Sequence, residues 1–549
     1  MTVLRRCALL LAVTVTVGLL PMLAGRDPAL TVLRARFADR EADAAALASI
    51  RAELGLGAGP FGLLRDWLAG LPRGDFGRSW VSGEPVGPEL LRALLVSLSL
   101  AGFAAAVAGG VAALLVLVKS GRTAAALAAL PEFLIGTGLL LVFAVRLGIL
   151  PTSGWEDARY AVLPSIALGV PAGALLGTVA SDAVRCALAE PWVRTWRAAG
   201  FNRRALVTAV ARRAASVVGA QLSLIVAGLL GGAVAVEVVF AVPGIGRLAV
   251  AGALAQDMPV VQGCVLVVLV VGTAAGALAA WTQRALLGPA FAERGLQAPP
   301  SHASRRPGWL SLTPVFLILA VLPAGLPRDP LAVDLTARLL PPSARHPFGT
   351  DSLGRDLLAR IGHGALSTVG LAVLVTVAAL LIGLAWGLTV RGSGAIDVAN
   401  ALPPTVAALL VATVAGPGVF GAAVAVACVF WAPLAAHTRS LTLEQQAAQH
   451  LDAVRAIGAG RFWILTRHVL PAVVPAVTRN AVVRLPGVAL ALASLGFLGL
   501  GAGPPRPEWG LLLAEGMPFA ERAPWVVLFP VAMLVLLGVS ALTLASRIR

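Results

Sequence analysis

HLDAVRAIGAGRFWILTRHVLP, His450 to Pro471, is a basic, semi-polar island between long apolar runs, and it has a weaker echo at Trp192 to Arg213. Setting Gly200 against Gly458, an offset of 258 residues, also aligns Arg197 with Arg455, Ala198 with Ala456, Arg203 with Arg461 and Thr208 with Thr466. The chain is therefore a tandem repeat. Each island reads as a short amphipathic helix stopped by a glycine, then a second helix entering the next apolar run. Ala447, Leu451 and Val454 fall at i, i+4 and i+7 on one face. Such a piece is built to lie in a groove on a partner.

Composition says what surrounds the islands. Hydrophobic residues make up 58%, mean hydropathy is +0.87 and only 13% of residues are charged, against about 25% charged in a soluble globular protein. An integral membrane protein in the lipid bilayer follows. The net charge of +16 comes from arginines in short loops beside apolar runs, so membrane topology accounts for it and nucleic acid is not the expected partner. Cys7, Cys186, Cys264 and Cys428 are scattered without metal or disulfide spacing. Lys119, in LVLVKSG, has no glycine-rich approach, so the chain carries no P-loop.

In chain order, Arg5 and Arg6 precede the apolar run Cys7 to Ala24, which reads as a signal peptide or a first span; its length favours a retained span with a cytoplasmic N-terminus. Residues 26–89 hold nine acidic residues against eight arginines, the balance of an external segment. Runs near 92–118, 124–147, 160–183, 218–242 and 259–283 can each cross a hydrocarbon core of about 30 Å. Counting sides places the loop 190–213 in the cytoplasm, and residues 185–213 carry seven arginines against the single acid Glu190. Residues 286–308 are polar, proline-rich and basic, a cytoplasmic linker. The second half, 309–549, repeats the plan with runs near 309–326, 365–390, 395–416, 419–436, 479–500 and 525–545, an external segment 327–364 and a loop 445–471. The first half is 1–285, and both termini fall in the cytoplasm. The expected fold is all-α, about twelve transmembrane helices in two six-helix repeats.

Prolines interrupt several runs, at Pro131, Pro164 and Pro171 and again at Pro403 and Pro404. They mark kinks beside a pathway or ordinary packing bends. Glu237 sits in an apolar helix close to its exit at Phe240–Gly244, where helix-end pairing and a pathway role are both open; Glu132, beside Pro131, is expected to face a cavity.

Other stretches carry a resemblance. Asp452-Ala453-Val454, three residues, then Gly458 resembles the EAA loop of prokaryotic ABC-importer permeases, the cytoplasmic segment that docks on the ATPase subunit. RGDFGRSWVSGEPV (Arg73 to Val86) and LLGGAVAVEVVFAVPGIGRLAVAGALAQDMPVVQG (Leu229 to Gly263) resemble the first permease subunit of the dipeptide, oligopeptide and nickel importer family. HPFGTDSLGRDLLARI (His346 to Ile361), RHVLP (Arg467 to Pro471) and SLGFLGLGAGPPRPEWGLLLAEG (Ser494 to Gly516) resemble the second. The chain thus resembles both subunits fused through the linker.

The resemblance implies a permease for peptides or a nickel chelate, served by separate cytoplasmic ATPase subunits and an extracytoplasmic solute-binding protein in the cell membrane. It implies ATPase-coupling residues at Arg194, Thr195, Arg197, Ala198, Gly200 and Arg203 in the first island, and Asp452, Ala453, Arg455, Ala456, Gly458 and Arg461 in the second. Four positions depart from the pattern: Trp196 replaces an alanine, Arg212-Arg213 replaces the Leu-Pro that ends the second island, and Leu492 stands where the family usually has a glutamate. The second island is accordingly the expected principal dock.

No HExxH, GxSxG, histidine–cysteine cluster or catalytic carboxylate pair occurs, and neither catalysis nor a cofactor or metal is expected. The rival is an ion-coupled secondary transporter with two inverted or parallel six-helix halves. It requires intramembrane acids and bases, which are scarce here. A membrane scaffold without transport leaves the paired islands unexplained.

Overall fold

The computed structural model describes residues 43–53, 56–118, 121–128, 130–291, 312–389 and 404–545, with isolated positions between 14 and 33 and at 396. The apolar run Cys7–Ala24, most of the 286–308 linker, Lys119 and Pro403 lie outside the described residues in whole or in large part. The described chain is helical, and six of its helices are long and apolar enough to cross a membrane. In hydrocarbon every backbone polar group must be satisfied within its own segment, and helices are how a chain of this composition achieves that.

In order, the segment 26–89 of the first half holds α1 (Ala44–Glu53) and α2 (Gly59–Gly70). The first half continues with α3 (Val86–Val118), α4 (Gly121–Ala128), α5 (Glu132–Leu139), α6 (Ala158–Ala189), α7 (Pro191–Ala198), α8 (Arg203–Val239), α9 (Ile245–Leu254) and α10 (Met258–Phe291). The second half holds α11 (Thr313–Gly325), α12 (Leu357–Leu388), α13 (Pro404–Ala415), α14 (Val419–Gln446), α15 (Gln449–Ala456), α16 (Arg461–Ile464), α17 (Leu470–Phe497), α18 (Trp509–Gly516) and α19 (Trp525–Ala545). Two apolar runs differ from expectation. The run at 124–147 is split at Pro131, which caps α5 and cannot supply the N–H a continuous helix needs, and α5 runs on as a π-helix over Leu140–Arg146. The span expected from 365 begins at Leu357, where Asp356 accepts the N–H groups of Leu358 and Ala359 as its N-cap.

Packing divides the chain into two compact units, 91–248 with 267–305, and 1–90 with 249–266 and 306–549. In the first, α5, α6 and α8 close around Leu100, Leu163, Ala167, Leu229, Val236 and Phe240. Gly169, Gly173 and Gly177 form a stripe on α6. A methyl group at Gly173 would lie 2.6 Å from the carbonyl oxygen of Ala108, so the backbones of α3 and α6 approach as only small residues allow. In the second unit α12, α14 and α17 pack around Ala379, Leu434, Val473 and Val477. There Gly383 and Gly387 on α12 provide the same close approach to α14.

Candidate coupling segments and their supports

The two islands fold alike. Helices α7 and α15 each span eight residues and keep the 258-residue offset at both ends, as do the starts of α8 and α16. Each short helix is held by one apolar anchor at the same repeat position. Val193 is fully buried against Ala187 and Val210, and Leu451 is fully buried against Leu434, Ile464 and Val469. The face expected to run through Ala447 is shorter, because α15 opens at Gln449 and Ala447 caps the preceding helix.

Both helices stop in the same way. Gly200 and Gly458 have φ of +75° and +87°. The N–H of Phe201 reaches the carbonyl of Trp196, and the N–H of Ala459 reaches that of Val454, each at the six-to-one spacing of a Schellman stop. The twelve expected coupling residues are all exposed: Arg194, Thr195, Arg197, Ala198, Gly200 and Arg203 on one island, Asp452, Ala453, Arg455, Ala456, Gly458 and Arg461 on the other. Asp452 and Arg455 pair at 2.9 Å on the surface. Ile457 (83% exposed) and Phe462 (79%) add apolar surface to the second island. Each island runs on into a long helix, α8 on one side and, on the other, α16, a π-turn over Leu465–Val469 and α17, which together are long and apolar enough to cross a membrane.

The departures in the first island have local reasons. Glu190, the N-cap of α7, accepts from Trp192 Nε1 at 2.7 Å and from Arg213 Nε of α8 at 3.0 Å. Their counterparts in the second island are Ala448 and Pro471, so both members of this ion pair are absent there together. Trp196 stacks on Phe201 at 4.6 Å and meets Trp192 edge-on at 5.4 Å, so its bulk buttresses the glycine stop.

Of the other candidates, Glu237 is 1% exposed and acts at a helix end. It accepts from the Ser97 hydroxyl at 2.6 Å and from the N–H of Arg247 in the first turn of α9 at 3.0 Å, while Ser97 Oγ accepts the N–H of Ile245 at 2.8 Å. Glu132 lies in the first turn of α5 with its carboxylate against Gly232 of α8. Pro404 is the first residue of α13, a position where a proline interrupts no hydrogen bond.

The profile of the family described as "binding-protein-dependent transport system inner membrane component" matches the chain twice, at residues 95–288 and 390–548. The chain belongs to this family. It is similar to a putative peptide permease protein of Brucella suis biovar 1, 36% identical over 240 residues, covering 42% of this chain and 80% of the relative. It is similar to a probable D,D-dipeptide transport system permease protein of Escherichia coli K12, 34% identical over 237 residues, 41% of this chain and 78% of the relative. It is also similar to a di/tripeptide transport system permease protein of Pseudomonas aeruginosa, 34% identical over 250 residues, 42% of this chain and 82% of the relative. The chain is therefore a multi-pass inner-membrane permease component of an ABC importer, not an enzyme, and the double match is that of a fused permease pair. Membership in this family decides against the ion-coupled alternative.

The structure joins the motifs that flank the islands in sequence, whose residues carry no assigned role in the sequence alone. Asp257, just before α10, accepts the Ser79 hydroxyl and the N–H groups of Trp80 and Val81, tying the two first-half motifs together. In the second half Arg355 and Arg360 meet Asp351 and Glu515, each at 2.7–3.0 Å, and Trp509 Nε1 donates to the carbonyl of Ile361 at 3.1 Å. Glu508, in the connection between α17 and α19, caps α18 by accepting the N–H groups of Gly510 and Leu511, both at 2.9 Å. Burial of its carboxylate raises its pKa to about 7.

Proposed function

We propose that the permease imports peptides through a pathway formed by its two halves, 1–285 and 309–549, and that ATPase subunits dock on the islands 190–213 and 445–471 from the cytoplasm. A separate solute-binding protein would deliver cargo on the other face. The observation that carries this reading is the pair of congruent islands, each with a buried anchor, a left-handed glycine stop and an exposed surface, and each continuous with a long helix. A push on such an island passes along a rigid helix rather than dissipating in a loop. Peptide cargo is favoured by the names of the relatives, which include peptide and dipeptide permeases; the nickel alternative rests on the resemblance alone. Both termini are assigned to the cytoplasm, and the linker 286–308 to the same side, on the arginine asymmetry of the loops.

The test is docking. Ile457→Asp and Phe462→Asp, both on exposed side chains of the second island, should leave membrane insertion unchanged and lower co-purification of the ATPase at least tenfold. Unchanged co-purification in both variants would place the dock elsewhere.

A further inference from the structure

A cavity of about 340 Å³ opens in the second half between α12, α14, α17 and the loop that leads into α18. Its floor is made by Thr368, Ala422, Leu492 and Glu508, all buried, and its mouth by Leu374 (65% exposed) and Arg506. The polar atoms of the floor are already engaged with one another and with the N-terminus of α18. The lining is otherwise apolar, so the floor favours a hydrophobic group. Arg506 at the mouth makes no ion pair among the described residues. An apolar pocket of a few hundred Å³ with a lone cation at its entrance suits a small ligand that carries both an apolar side chain and a carboxylate.

We infer that this cavity is a cargo subsite that takes the apolar side chain of a short peptide, with Arg506 receiving the peptide's free carboxylate and Leu492 setting the preference for apolar over basic side chains. The inference rests on the peptide-permease reading and narrows its substrate class. Leu492 is the deciding residue. A glutamate there, as the family resemblance would have it, places an anion on the floor of the cavity and reverses its preference. A lipid acyl chain is the competing occupant, and it has no carboxylate for Arg506 to receive, so dependence on a free carboxylate separates the two.

The full-length chain carrying Leu374→Cys, purified into phosphatidylcholine nanodiscs, is treated with a maleimide, and labelling at position 374 is read by peptide mass spectrometry. Millimolar Leu-Leu should slow labelling at least threefold, while Lys-Lys and Leu-Leu-amide should not. Adding Arg506→Gln, a change at the exposed rim that spares the fold, should make Leu-Leu and Leu-Leu-amide equivalent. Adding Leu492→Glu should abolish protection by Leu-Leu. Equal effects of all three peptides on the Leu374→Cys protein would overturn the subsite, as would protection that appears only when phosphatidylglycerol is added. Because ATPase co-purification reads the permease assignment independently, loss of protection alongside intact co-purification would remove the subsite and leave that assignment standing.

Discussion

Thr368 donates its hydroxyl hydrogen to Glu508 Oε1 at 3.2 Å and accepts the backbone N–H of Trp509 at 3.1 Å. Ser97 does the same in the first half with Glu237 and Ile245. In both halves a hydroxyl on a long helix (α3 or α12), a buried carboxylate and the first N–H of a short helix form one device, although the carboxylate comes from near the end of the long helix α8 in one half and from the cap position in the other. Removing the hydroxyl strands a buried N–H and deprives the carboxylate of a donor, a loss of about 1–3 kcal/mol. Thr368→Val should therefore lower the thermal midpoint of the purified protein by several degrees and Thr368→Ser should restore it. Equal midpoints for the valine and serine variants would mean that only packing matters there.

Glu508 adds a pH dependence with a defined sign. Its pKa is raised from 4.5 to about 7 by burial, so the folded protein holds a proton that the unfolded chain releases between these values. Stability from this group is complete below about 4.5 and is lost as pH rises through 7, on the order of 3 kcal/mol across the window. Glu508→Gln, which keeps an acceptor oxygen for the helix N-terminus, should flatten the stability profile between pH 4.5 and 7. A profile with the wild-type slope would assign the dependence to another group.

Gly458 and Gly200 separate strain from docking. A methyl group at either position meets nothing within 4 Å, so substitution costs only the left-handed backbone, about 1 kcal/mol. Gly458→Ala should thus insert normally and keep most of its coupling. Gly458→Leu adds bulk to the proposed docking surface and should cut substrate-stimulated ATP hydrolysis at least fivefold. Gly200→Leu should do less, because Trp196 and Arg212-Arg213 already depart from the docking pattern there. Full stimulation in Gly458→Leu, or a deeper defect at Gly200, would reverse the assignment of the principal dock.

Sidedness is open to a direct measurement. Ser82 in the motif Arg73 to Val86 and Gly460 within the second island are both exposed, and neither has a left-handed backbone. Ser82→Cys should react with an impermeant maleimide on intact cells and Gly460→Cys only after permeabilisation. The opposite pattern would invert the topology.

The islands were legible in the sequence because glycine, charge and apolar spacing are local signals, and Gly200 and Gly458 stand where the 258-residue repeat aligns them. The stretches Arg73 to Val86 and His346 to Ile361 were recognisable as motifs, yet the roles of Ser97, Thr368, Asp257, Glu508 and Glu515 were not. Each of these acts on residues well over a hundred positions away, as Asp257 does on Ser79, and no periodicity marks such a pairing. Glu237 was visible as a costly intramembrane carboxylate, but only the fold brings Ser97 and the start of α9 to it. The departure at Leu492 becomes intelligible once Glu508 is seen to supply the second half's carboxylate from another element.

Arg360 offers the sharpest contrast between buried and exposed charge. It is 1% exposed, and its Nη1 lies 2.7 Å from both Asp351 and Glu515, while Nε and Nη2 have no hydrogen-bond partner among the described residues. Arg355 shares the same two carboxylates, so two guanidinium groups depend on two acids. Asp351→Asn leaves two buried cations facing one carboxylate, and breaking a buried pair in this way costs about 3–5 kcal/mol. Asp452→Asn removes a contact of 2.9 Å, but its partners are 46% and 72% exposed, and such surface pairs contribute about 0–1 kcal/mol. Folded yield from membranes should therefore collapse for Asp351→Asn and hold for Asp452→Asn. Adding Arg360→Met to Asp351→Asn removes one uncompensated cation in favour of an apolar side chain of similar length and should recover part of the loss. If the single variant is as stable as wild type, the cluster is hydrated and its charges are not what joins the second half's outer motifs.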